Sequence, residues 1–214
     1  MPTEVRLDPP PELDMPIGEA MFTQRAIRKL KPDPISDDHL KLVMDAASKA
    51  PSGGNTQPAR FVVVRDREKL RSFGELYHEA WWAKRRDIEG WSGPEDVDES
   101  YRPAMQLADE IGDAPVVVLA FGIAPGLDHS VLPAVQNLLL AARALGIGST
   151  LTTLHPDVME RVYKLLHIPE HAAFLCCIPL GYPRGRFGPT VRRPSSDTTY
   201  YNEWKTPPPW AAKA

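Results

Sequence analysis

Several absences narrow what this chain can be. It has only two cysteines, Cys176 and Cys177, adjacent in sequence, which cannot make a disulfide framework and are too few for a zinc site. Both fall in the apolar run 172–180, where a free thiol behaves as a small buried hydrophobe. No stretch reaches the roughly 18 apolar residues of a membrane span, and the N-terminus lacks the basic-then-apolar pattern of a secretory leader. Neither sign of charge dominates. A net charge of −3 gives no pull toward nucleic acid or an anionic membrane. No Gly-x-Gly-x-x-Gly fingerprint follows an apolar run, so a dinucleotide-binding turn is not indicated. The six histidines have no triad-like company and read as surface or capping residues. The expectation is a cytoplasmic globular protein without a metal.

Proline, by contrast, is plentiful. There are 23, about twice what an average usage near 5% would give, and they crowd the two ends. Such ends cannot form long regular elements, so residues 1–20 and 205–214 read as extended arms around one domain, 21–204. Within it, Ser36 followed by Asp37 and Asp38 opens a helix, with Leu40, Val43, Met44 and Ala47 at helical spacing. Phe61–Val64 reads as a buried strand, and Leu70 to Trp81 as a second helix. A polar excursion at 90–98 comes next, then a strand at 116–121. Val131–Leu145 is apolar nearly all round, so a helix there is expected to be buried on every face and to stop at Gly146. Pro156 starts another helix, and Phe174–Leu180 is the last strand. The order α, β, α, β, α, α, β is that of one α/β domain. The central helix is covered either by a dimer partner or by three layers within one chain.

Three clusters carry chemistry. Arg25 and Arg28, around Ala26 and Ile27, are three apart, so on a helical turn they share a side. Their planar donor forks suit a phosphate, although alone the pair reads first as a solvated basic turn. The second cluster, Pro51-Ser52-Gly53-Gly54-Asn55-Thr56-Gln57-Pro58, lets backbone come close to a flat ligand and offers donors and acceptors in a short span. It is equally a plain turn by composition. The third runs from Leu145 through Gly146, Gly148, Leu151, Thr152 and Thr153, with Arg184, Arg186, Arg192 and Arg193 near the end.

Taken together, these segments resemble the FMN-dependent nitroreductase superfamily over most of the chain, from about Met21 to Trp204. The resemblance rests on Arg25-Ala26-Ile27-Arg28, the Pro51–Pro58 loop, Ala142–Gly148, Pro179–Pro183 and Arg192-Arg193-Pro194, in that order. It implies an α/β (α+β) three-layer sandwich with a central mixed sheet flanked by helices. It also implies a homodimer whose two FMN sites are each shared between subunits, with NADH or NADPH as reductant. Arg25, Ala26 and Arg28 are then expected at the FMN phosphate and nearby polar groups, joined by Arg192. Pro51, Ser52, Gly53, Asn55 and Gln57 would cover the ring from the partner subunit. Leu151, Thr152 and Thr153 would lie along its reactive edge. The flavin carries the redox chemistry, so no side chain is expected to be catalytic. The family's usual Ser is Ala26 here, which removes one hydroxyl contact, and the Trp usual after Gln-Pro is Ala59, which reshapes a nearby pocket.

A variable cover at about 78–105 holds Trp81, Trp82, Trp91 and Tyr101 beside Lys84, Arg85 and Arg86. Trp81, Trp82 and Tyr101 are the candidates for contacting a planar acceptor, the cations for holding its acidic group. Alternatively the aromatics only dock the cover on the core. The activity expected is a ping-pong, two-electron reduction of nitroaromatic, quinone or similar acceptors. Two branches of the superfamily, the reductive dehalogenases of halogenated tyrosines and the flavin-fragmenting enzyme of cobamide synthesis, fit the motifs as well. A protein that only stores FMN is the non-enzymatic alternative.

Overall fold

The computed structural model describes residues 10–123 and 128–211. Among them the elements run α1 (Ile17–Thr23), α2 (Asp37–Ser48), β1 (Ala59–Val64), α3 (Arg67–Glu89), α4 (Arg102–Glu110), β2 (Val116–Gly122), α5 (Asp128–Ala144), β3 (Gly148–Ser149), α6 (Met159–Leu166) and β4 (Ala173–Gly181). The Ser36 side chain accepts the His39 amide at 3.2 Å and so caps α2. Asp66 caps α3 in the same way through the Lys69 amide.

The four strands form one sheet in the order β1-β2-β4-β3. All three ladders are antiparallel. The parallel component of the expected mixed sheet is confined to one bridge among the described residues, Ala26 with Ser149. Because side chains alternate along a strand, β2 feeds two cores. Val117, Leu119 and Phe121 pack with Leu70, Phe73 and Tyr77 of α3, Leu107 of α4 and Val162 of α6. Val116, Val118 and Ala120 pack with Leu40 and Val43 of α2 and Val131, Val135 and Leu138 of α5. The result is helix, sheet, helix, the three-layer arrangement expected. Adjacent Cys176 and Cys177 fall on opposite faces, and both are buried.

One burial expectation is corrected, and another is not met within a single chain. In β1 only Val64 is fully buried, because the strand lies at the sheet edge and has β2 on one side only. Helix α5 is not covered all round: Leu132 is 47% exposed and Gln136 is exposed too. Its other faces meet α2 and the sheet, and this stripe is what a single chain leaves open. Three elements went unread. Helix α1 starts at Ile17, inside the stretch read as an arm. The apolar residues of α4 are hidden among the charges of the cover, and two-residue β3 is too short to leave a pattern. No helix among the described residues is long and apolar enough to cross a membrane.

Candidate active site

After α1 the backbone turns extended at Gln24. The Ile27 amide donates to the Ser149 carbonyl at 2.9 Å, and Leu30 bridges to Pro183. Ile27 and Leu30 are buried. Ile27 sits so tightly on β3 that a Cβ at Gly148 would stand 2.7 Å from its Cγ2. This corrects the helical reading of Arg25 and Arg28: pairing with Ser149 replaces the helix, and the two guanidinium groups take different surroundings. Arg28 lines a cavity with Thr150–Thr153. Arg25 is exposed, with its Nη1 beside Gly188 in the C-terminal stretch. That stretch is tied down nearby, where the Thr190 amide donates to the Phe22 carbonyl at 2.9 Å. Arg192 follows two residues later, exposed, donating to its neighbour Val191's carbonyl at 2.8 Å.

Beyond β3, Thr152 and Cys177 exchange both backbone hydrogen bonds, at 3.0 and 2.8 Å. Between these anchors Thr150 is buried and Leu151 is turned outward, 42% exposed. The cavity beside this segment holds about 200 Å³. Its far wall is α3 with the turn before α4: Tyr77, Trp81, Lys84, Arg85 and Tyr101. The Tyr77 and Thr152 hydroxyls are 2.7 Å apart, and Lys84 Nζ donates to Thr153 Oγ1 at 3.3 Å. The Arg85 guanidinium lies over the Tyr101 ring, 4.8 Å from its centroid, and over Trp81 at 5.6 Å. It is neutralised by Glu89 at 2.7 Å, both side chains mostly buried. Burial, and then Cys177 beside it, push the Tyr77 phenol far above its ordinary range; the Thr152 bond, Arg28 and Arg85 pull it down by less. Tyr77 is therefore a neutral hydroxyl throughout physiological pH.

Of the aromatic candidates, Trp81 and Tyr101 line this cavity and Trp82 does not. Trp82 packs edge-on against Trp81 with centroids 4.9 Å apart and donates its indole N–H to His78 Nε2 at 3.2 Å. Nothing local in the sequence signals that Tyr77 meets Thr152, 75 residues away.

The Pro51–Gln57 loop stands elsewhere. Ser52 Oγ accepts the Gln57 amide at 2.9 Å, Gln57 Nε2 donates to Asn55 Oδ1 at 3.2 Å, and the Gly53 amide donates to Ser130 Oγ at 3.2 Å. Asn55 and Gln57 both have positive φ, 55° and 48°, a conformation that costs a non-glycine residue of order 1 kcal/mol and persists where the surroundings enforce it. Ser52 and Gln57 line a cavity of about 240 Å³ with Met44, Phe61, Ser130 and Ala134. That cavity shares no lining residue with the one at Arg28. One chain thus brings together Arg28, Leu151, Thr152, Thr153, Trp81 and Tyr101, and holds Ser52 and Gln57 at a second place.

Comparison with known proteins agrees with this architecture. Residues 22–182 match the model of the nitroreductase family. An iodotyrosine deiodinase from Thermotoga neapolitana is 35% identical over 169 residues, covering 75% of this chain and 83% of the relative. An NADH dehydrogenase from Thermus thermophilus is 31% identical over 193 residues, covering 82% and 90%. Among solved structures, an iodotyrosine deiodinase bound to FMN and 3-iodo-L-tyrosine superposes with a TM-score of 0.68 at 25% identity, covering 88% of this chain and 98% of that one. The extended Arg25–Leu30 segment, the Pro51–Pro58 loop and the paired β3–β4 edge all lie inside the matched span, and the chain belongs to the nitroreductase family.

Proposed function

We propose that the protein is an FMN-dependent oxidoreductase that takes electrons from NADH or NADPH and gives them to a small planar acceptor, a nitroaromatic or a quinone. The observation that carries this is the cavity at Arg28: three cations, three aromatics and a row of threonines, with no carboxylate in its lining. That donor set fits FMN, an anionic phosphate joined to a flat ring with polar edges. Bound there, FMN would supply hydride acceptance and two-electron transfer. The rest falls to the chain. Arg28 offsets negative charge developing in the site. The Thr152–Thr153 segment, fixed to Cys177 and Tyr77, presents backbone and hydroxyl groups along one edge. Arg25 and Arg192, on the ends joined by the Phe22–Thr190 bond, would hold the phosphate. Reductant and acceptor use the same face in turn, which makes the kinetics ping-pong.

The Pro51–Gln57 loop completes the site from a second subunit in this reading. Its positive-φ turn is built by its own hydrogen bonds, yet it lines a cavity apart from Arg28. A homodimer resolves this, with the open stripe of α5 in the interface. The first experiment is the visible spectrum of the purified protein, its bleaching by NADPH, and chromatography of the flavin released on denaturation. An FAD peak, or no flavin after reconstitution, overturns the proposal. The similarity to a deiodinase supports a second reading, reductive removal of halide from a halotyrosine. Turnover of 3-iodotyrosine beside that of a nitroaromatic decides between them.

A further inference from the structure

We propose that Lys84 forms an anion-recognising subsite that selects planar aromatic acceptors carrying a carboxylate; this rests on the flavin reading above. Helix α3 presents three cations in succession, and their surroundings differ. Arg86 is paired with Asp87 and Asp157. Arg85 is neutralised by Glu89 and lies over Trp81 and Tyr101. Lys84 is half-buried in the cavity wall and, among the described residues, has only the Thr153 hydroxyl as a hydrogen-bond partner. Among the described residues neither Lys84 nor Arg28 has a carboxylate within ion-pair distance. With Arg28 assigned to the flavin, one uncompensated ammonium remains.

A half-buried charge without a counter-ion has lost part of its hydration and regains it from an anionic ligand. The same charge disfavours a cationic one. The geometry adds shape. Trp81 and Tyr101, each in contact with the Arg85 guanidinium, form an apolar wall beside Lys84. Such a wall suits one aromatic ring of an acceptor packed against it, with its carboxylate at the ammonium.

The test compares 4-nitrobenzoate with its uncharged methyl ester as acceptors for the purified protein. The wild type should prefer the acid in kcat/KM. Lys84→Met should lower the acid-to-ester ratio about ten- to a hundredfold, as expected for losing a charge-assisted contact. Lys84→Arg, which keeps the charge, should retain most of the preference, and Arg86→Met, outside the cavity, should leave the ratio alone. A second readout needs no turnover: benzoate should quench tryptophan fluorescence in the wild type and much less in Lys84→Met. An unchanged ratio together with unchanged benzoate binding in Lys84→Met overturns the subsite. So does a Lys84→Met variant whose only change is a higher KM for NADPH relative to NADH, which would give the cation to the reductant's phosphate. A protein without flavin, or one that reduces neither compound, overturns the flavin reading instead, and the benzoate measurement still decides the subsite.

Discussion

The hydroxyls of Tyr77 and Thr152, 2.7 Å apart, join the helix on one side of the sheet to the strand-edge segment that carries the candidate site. Thr152 is also held from behind by the backbone of Cys177. One residue thus fixes the site to a helix and to a central strand at once.

Tyr77→Phe keeps the ring packed on Phe73 (centroids 6.3 Å apart) and deletes only the hydroxyl. The Thr152 hydroxyl is then left unpaired in a largely buried place, at about 1–2 kcal/mol. For a chain of this size that is roughly 2–8 °C in Tm. Differential scanning calorimetry of the two proteins measures it. An unchanged Tm would mean that the bond contributes nothing to the folded state.

Arg28→Ala should weaken FMN binding about ten- to a hundredfold, because it removes a charge-assisted contact of roughly 1.5–3 kcal/mol from the cavity. Arg192→Ala should act in the same direction. Flavin fluorescence titration of reconstituted protein reads both. If neither variant moves the affinity, the flavin lies elsewhere.

The thiols make stability depend on alkaline pH. Burial pushes the Cys176 thiol up to about 12 from an ordinary 9.0 and Cys177 well above its ordinary value. An unfolded chain releases these protons near pH 9, while the folded one keeps them. Between about pH 9 and 12 the folded state therefore binds more protons. Stability is fully present below that window and falls as pH rises through it. Urea midpoints at about pH 8 and about pH 10 should show the loss, and a Cys176→Ala, Cys177→Ala double variant should lose less.

If the Pro51–Gln57 loop completes the partner's site, subunits with different defects complement each other. A mixed dimer of Arg28→Ala with Asn55→Ala has one site built wholly from wild-type parts and should bind flavin at that site with wild-type affinity. Sites built within single subunits predict two damaged sites and none intact. The interface required is of the obligate kind, above about 2,000 Å², so sedimentation at nanomolar concentration should still show the dimer.

Much of the fold is legible locally. The Ser36 cap, the apolar runs of β2 and β4 and the long apolar stretch of α5 are each decided by their own residues. The site is legible only in part. Arg28, Leu151–Thr153, Trp81 and Tyr101 do converge, yet Arg25 and Arg28 share a side only if a local helical period holds there. The Ile27 amide is taken instead by Ser149, far along the chain, and a pairing of that kind leaves no periodic trace. The Tyr77–Thr152 contact is hidden for a similar reason: an inward-facing tyrosine on an apolar helix face looks like any core residue. The openness of α5 at Leu132 could not be seen because composition does not say which neighbours one chain can supply.

The Arg184 side chain donates to the Leu30 carbonyl across 154 residues of sequence, next to the Lys31–Tyr182 backbone bond, and the Phe22–Thr190 bond ties the same two stretches farther along. During synthesis on the ribosome, at roughly 5–20 residues per second, Arg25 and Arg28 emerge well before Ser149, Pro183 and Thr190, which pair with their segment. The β1–β2 pair, with α3 and α4 between its strands, can assemble while translation continues. The two arginines must wait for β3, β4 and the stretch that follows β4. A nascent polypeptide stalled after β2 would have part of its core but not the paired segments of the candidate site, so in the proposed reading flavin capture follows assembly of the core.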